Sequence, residues 1–242
     1  SRLGFGVSDG KSGRSRLHKV CLAMSSATAS RCVGIVRHSS RLDADAAATW
    51  PDKAQRPYDT PISDETLPAD VAIALEEFGF QRIVSSPFRR CLQTAAVLAR
   101  CLGIVEVDVD LGLGESMPEV KRCGWPSDDH ELTYMPESEM RCTLLEQGVS
   151  LGSCCGKKPD AMEVAARRIR ETLQTALSMD GDSQNVLLVS HGDVLGQAVE
   201  MVTGNVVVEA GYCAWVVLKL ERGIPDAASM LRGWGYTAIS LE

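Results

Sequence analysis

The chain has 242 residues, of which 45% are apolar and 24% charged. That length buries a substantial core, and that composition excludes wholesale disorder. No uninterrupted apolar run reaches the ~18 residues of a membrane span, and a formal net charge of -7 argues against a general nucleic-acid or anionic-membrane binder.

In chain order, residues 1–31 come first as a basic leader. They hold six bases against the single acid Asp9, a net of +5, which leaves 19 bases and 31 acids, a net of -12, on the body. The leader is rich in Ser, Gly and Ala, as an organelle targeting remnant is; a flexible arm is an equal reading. An acidic body follows as one domain over 32–242. Its first buried strand is Cys32 to Arg37, a short apolar run. Residues 41–50 are Ala rich and predict a helix; 51–61 hold three prolines and predict a loop. Ser63 reads as an N-cap with Asp64 and Glu65 in the first turn, and the helix runs to a stop at Gly79. Residues 82–85 form a strand, 88–102 a helix and 105–109 another strand. Residues 116–158 read as an irregular insertion over the carboxyl edge of the sheet, with one helix over 137–147. A long helix is expected over 160–178. Val186, Leu187, Leu188 and Val189 make an apolar strand, followed by a helix over 193–202 and a strand over 212–220. Strands alternating with helices imply a three-layer α/β/α sandwich with a mainly parallel sheet.

Nine cysteines, none in a C-x-x-C pair, support neither a zinc site nor a disulfide scaffold. Reduced thiols fit a cytoplasmic location, or a mitochondrion or plastid if the leader is a targeting remnant. No metal and no cofactor is signalled.

Chemistry-bearing residues gather after three strands. Arg37, His38, Ser39, Ser40 and Arg41 follow the first; Ser85, Ser86, Pro87, Phe88, Arg89 and Arg90 follow another; Ser190, His191 and Gly192 follow a third. In an open parallel sheet, ligands bind beyond the carboxyl ends of strands, so two histidines and several arginines converge on one crevice. Those residue types suit phosphate. Guanidinium groups bond phosphate oxygens bidentately, and the helix starting near Asp193 offers its N-terminus to an anion. A neutral imidazole is a nucleophile toward phosphorus when its tautomer is fixed. A carboxylic acid must then protonate the leaving alkoxide. Glu115, just after the 105–109 strand, is the first candidate and Glu119 the reserve.

These residues form four ordered motifs. Arg37-His38-Ser39-Ser40-Arg41-Leu42-Asp43 resembles R-H-G-x-R-x-D. Arg56 to Asp64 resembles R-P-Y-D-x-P-L-S-D. Ser86 to Ala95 resembles S-P-x-x-R-C-x-Q-T-A, and Val189-Ser190-His191-Gly192 completes the set. The chain thereby resembles the histidine phosphatase superfamily, with a phosphoglycerate-mutase-like fold. Within it, it is most similar to the branch of the suppressor of T-cell-receptor-signalling and ecdysteroid phosphate phosphatases. The resemblance implies His38 as the nucleophile that becomes phosphohistidine. It implies Arg37, Arg41, Arg90 and His191 as holders of the phosphoryl oxygens, and Glu115 as proton donor. Arg89, about 100° from Arg90 on a helix, is expected to be a solvated base. One departure is Ser39, where the family has Gly; it predicts reduced but not abolished activity.

The resemblance favours a phosphatase acting on a small phosphate ester or phosphoprotein. A mutase is less favoured, because the sequence around Glu115 lacks a mutase-type extension. A catalytically idle subunit with a binding role is the other class of answer, given Ser39 and the basic leader as a docking arm. Specificity is expected from 116–158 and from the loop near Trp50 and Tyr58, with Trp50, Tyr58, Trp125 and Tyr134 as candidate walls. A homodimer is also open, with the apolar strand 212–220 at its interface.

Overall fold

Residues with little polar character fill the middle of the sheet. The computed structural model describes residues 31–45, 47–115, 133–157, 171, 184–220 and 228–240. The leader up to residue 30, Glu119, Trp125 and all but one residue of the helix expected over 160–178 lie outside them.

Seven strands form one sheet: β1 (Arg31–Arg37), β2 (Phe80–Ser85), β3 (Glu106–Asp110), β4 (Ser150–Cys155), β5 (Asn185–Ser190), β6 (Val206–Leu220) and β7 (Ala228–Ile239). Their order is β4-β3-β2-β5-β1-β6-β7. The five strands from β4 to β1 are mutually parallel, and β6 runs antiparallel to both β1 and β7. The central strands are apolar on both faces because helices cover both. On one face α1 (Thr66–Leu75), α2 (Arg89–Leu102) and α3 (Glu137–Leu145) pack Leu75, Leu92, Leu98 and Leu144 against Ile83, Val107 and Leu187. On the other, α4 (Gly192–Thr203) packs Leu195 and Val199 against Val33, Ile35 and Leu188. The expected three-layer sandwich is therefore present. Gly34 permits tight packing at its centre: a Cβ there would lie 2.6 Å from both Leu187 and Phe80. Among the described residues, no helix is long and apolar enough to cross a membrane.

Several local expectations are corrected. Residues 41–50 give one 3-10 turn, Leu42–Ala44, because Arg41 is drawn into a bridge with Ile62. Helix α1 starts at Thr66, three residues after the expected cap. Ser63 is held by Ser40, its N–H donating to Ser40 O at 2.8 Å, and Asp64 Oδ1 caps instead by accepting from Thr66 N at 2.7 Å. Residues 150–155, read as irregular, form β4 beside β3. Strand β6 is longer than expected, and β7 went unread. Both edge strands lack the β-branched run that marks an inner strand. The 212–220 strand does not offer an apolar interface: Cys213 to Leu218 are buried inside this chain, facing both helical layers in alternation.

Candidate functional site

Strands β2, β5 and β1 are neighbours, so the three motif loops leave the sheet side by side. Arg37 pairs with Ser190, and Ser85 with Val189. Two further bonds lock the ends: His38 N–H donates to Ser190 O and Ser86 N–H to Val189 O, each at 2.9 Å. Beyond β3 a 3-10 turn, Leu111–Leu113, is capped by Asp110 and carries the chain to Glu115. Ser190 Oγ donates to Leu113 O at 2.8 Å, and the Tyr134 hydroxyl donates to Glu115 O at 3.0 Å. These bonds hold Glu115 at the same end of the sheet.

His38 is 3% exposed. Its Nδ1 lies 2.7 Å from Ser39 O. A carbonyl only accepts, so Nδ1 carries the proton and Nε2 keeps its lone pair. Burial, with the charges of Arg90, His191 and Arg37 adding to it, holds this imidazole well below the ordinary 6.5. It is a neutral base of fixed tautomer.

His191 precedes α4 as its N-cap and is 1% exposed. Its ring stands 5.4 Å from that of His38, edge-on. Nε2 is 2.9 Å from Ser86 Oγ; Nδ1 is 3.3 Å from Arg90 Nη2 and 3.5 Å from Glu115 Oε2. Arg90, on the first turn of α2, is 2% exposed. It donates from Nη1 to Tyr58 O at 2.9 Å and from Nη2 to Glu115 Oε2 at 2.6 Å, and its guanidinium lies 4.5 Å above the Phe88 ring. Arg37 donates to Ala210 O and stacks on Tyr212 at 4.6 Å. The charges of Glu115, Arg41 and Arg90 all act on it.

The six sequence-predicted residues thus meet with unequal freedom. His38, Arg90, Glu115 and His191 form one buried cluster. Arg37 adjoins it. Arg41 forks onto Asp43, with Nε to Oδ1 at 2.9 Å and Nη2 to Oδ2 at 2.5 Å. The polar groups of Ser39 are committed outside the cluster: its hydroxyl donates to Asp64 O at 2.7 Å, and its N–H donates to Thr94 Oγ1 at 3.0 Å.

Arg89 corrects the sequence reading. Its side chain is largely buried, within 3.4 Å of Asp52, and its backbone N–H donates to Asp59 Oδ1 at 2.6 Å. Of the proposed walls, Trp50 is buried under Lys53, and Tyr58 packs in the core against Phe88. Tyr134 remains half-buried beside Phe88, on the Glu115 side. Three further residues escaped the reading: Ser86, bonded to His191; Asp59, buried beneath the first turn of α2; and Tyr212. Ser86 and Asp59 sat inside quoted motifs, so their positions were visible although their partners were not. Cys91 lies 3.6 Å from His191 Nε2, but burial pushes its thiol up to about 12, so it is no nucleophile at neutral pH.

This cluster sets a nucleophilic nitrogen among cationic donors and a carboxyl group. The histidine phosphatase superfamily (branch 1) matches residues 33–229. No curated protein matches the sequence. Among solved structures, the chain is similar to ecdysone phosphate phosphatase from Bombyx mori in complex with tungstate. The identity is 19% and the TM-score 0.59, over 87% of this chain and 92% of that one. It is similar to a mycobacterial glucosyl-3-phosphoglycerate phosphatase at 20% identity and TM-score 0.52, over 86% and 100%. A phosphoglycerate mutase from Bacillus anthracis gives 14% identity and TM-score 0.52, over 86% and 94%. At these identities the likeness is one of fold, and that fold is phosphoglycerate-mutase-like. The family match spans all four motifs and most of the chain, so the chain belongs to the histidine phosphatase superfamily, branch 1.

Proposed function

We propose that the chain is a phosphomonoester hydrolase working through a phosphohistidine on His38. The observation that carries this reading is the state of His38: buried, neutral, and bonded through Nδ1 to Ser39 O, with the Nε2 lone pair left for attack. A phosphoryl dianion enters among Arg37, Arg41, Arg90 and His191. It takes Arg90 Nη2 and His191 Nδ1 from Glu115, and Arg41 turns from Asp43 to reach it. Glu115 acts in this step as the carboxylic acid. Nε2 attacks phosphorus, the P–O bond breaks, and Glu115 passes its proton to the leaving oxygen. The charge spread over the transferring group is met by the surrounding cations. Glu115, now a carboxylate, takes a proton from water as that water attacks the phosphohistidine. The P–N bond breaks, releasing phosphate and restoring His38.

Ser39 favours a second reading, a weak or idle phosphatase-like subunit. With its hydroxyl committed to Asp64 O, it gives the phosphate no extra donor, and its Cβ keeps the backbone from the closest approach a glycine allows. Hydrolysis of para-nitrophenyl phosphate by the purified protein, beside His38→Ala, separates the two. The hydrolase reading expects the variant to lose about a thousandfold in turnover; equal rates contradict it. Products formed from a phosphoglycerate tell hydrolase from mutase.

A further inference from the structure

Strand β6 is interrupted beside the site. Its pairing with β7 slips between Ala210 and Trp215, and within that slip Cys213 holds a φ of 55°. Residues with a Cβ rarely adopt this left-handed region. The kink does two things. It points the Cys213 N–H at His38 O, 3.2 Å away, fastening β6 to the nucleophile's own carbonyl. It also leaves Tyr212 37% exposed, while the next residues, Cys213 to Leu218, are buried. Irregularities of this kind re-aim side chains next to active sites, and strained backbone persists where the surroundings hold it for use.

Tyr212 is aimed at the site. Its ring centre lies 5.9 Å from that of His38, tilted by 46°, and the Arg37 guanidinium lies 4.6 Å from it on the other contact. Phe88, which contacts His191 at 5.0 Å, is buried and has no face to give a ligand. Arg90 and His191 are buried as well. Tyr212 is thus an exposed ring beside the nucleophile, within reach of the organic substituent of a phosphoryl group seated against His38.

We propose that Tyr212 is the specificity platform of the phosphate site: its ring takes the organic part of the ester and favours substrates with an aromatic or similarly flat apolar group next to the phosphate over short alkyl esters. This rests on the phosphate-site reading above. The physical basis is offset or edge contact between rings, which adds to simple burial of apolar area. Arg37, stacked on the same residue, ties the platform to the anion and sets the distance between them.

The test is equilibrium binding, which does not depend on turnover. Affinities of benzylphosphonate and ethylphosphonate are measured by calorimetry for the full chain, Tyr212→Ala and Tyr212→Phe. The wild type is expected to prefer the benzyl compound by about threefold to tenfold. Tyr212→Ala should bring that ratio close to one while still binding ethylphosphonate, which also shows that the variant is folded. Tyr212→Phe should keep the ratio. A wild-type ratio near one, a ratio unchanged in Tyr212→Ala, or a ratio lost in Tyr212→Phe overturns the proposal while the phosphate site stands. Failure of both phosphonates to bind the wild type overturns both.

Discussion

At the scale of single residues, the site is governed by which groups have lost their water. His38 is the clearest case. Burial beside Arg90, His191 and Arg37 disfavours its protonated form, and Ser39 O fixes the proton on Nδ1. An NMR titration of the His38 ring is expected to show the neutral form persisting below pH 6.5; a midpoint at or above 6.5 contradicts the geometry. The linkage has a definite sign. The unfolded chain takes up a proton as pH falls through about 6.5, and the folded chain does so only lower. Between those values the unfolded state binds more protons, so His38 lowers stability as pH falls through that window. Glu115 makes a second prediction. Glu115→Gln keeps a hydrogen-bond partner for Arg90 but cannot donate a carboxyl proton. It should lower turnover of an alkyl phosphate by about a hundredfold or more, and that of para-nitrophenyl phosphate much less, because nitrophenolate leaves without protonation. Equal losses on both substrates contradict its role as acid. Ser39→Gly should raise turnover while costing stability through the lost Asp64 bond, by about 1 kcal/mol. Unchanged turnover contradicts the role given to Ser39.

At the scale of elements, helix α2 matters most because its first turn carries Arg90. The residue at its N-cap, Phe88, has no side-chain acceptor to offer, and Asp59 from a distant loop accepts from Arg89 N instead. Asp59→Ala is expected to cost about 1–2 kcal/mol, read as a fall in the urea midpoint, and to weaken phosphate binding through Arg90. An unchanged midpoint contradicts this capping role. The elements that position the site were legible in the sequence: β1 and β5 are centred on apolar runs, β2 carries Ile83 and Val84 just before its end, and α2 and α4 start within a few residues of β2 and β5. The parts that were not legible depend on long-range partners. Strand β4 contains Ser, Gly and Cys and exists because β3 has a free edge beside it. Strand β7 holds Gly233 and Gly235, which blur any alternation. Arg89 was read as solvated because periodicity gives the angle between Arg89 and Arg90, while Asp52 and Asp59 reach it from a loop whose path no local pattern reveals. Tyr212 was hidden for the same reason: a strand pattern does not announce a kink.

At the scale of the whole molecule, an acidic chain builds a cationic crevice. The chain carries a net charge of -7, whereas Arg37, Arg90 and His191 gather at one end of three parallel strands. Such a field admits a compact anion and repels an extended one. Orthovanadate, which resembles phosphorus at the transition state, should inhibit competitively at concentrations at least about tenfold below KM. Heparin should not compete; competition by heparin would place the cationic surface outside the crevice. The motifs carry the proposed chemistry, and the sheet explains why stretches so far apart in sequence lie together. The most direct test of the account is chemical trapping. The protein is mixed with a phosphate ester labelled with radioactive phosphorus, quenched in alkali within its first turnover, and digested for peptide mapping. The account predicts acid-labile, alkali-stable label on His38, absent from His38→Ala. Hydrolysis that proceeds with no label on His38, or with label on another residue, contradicts it.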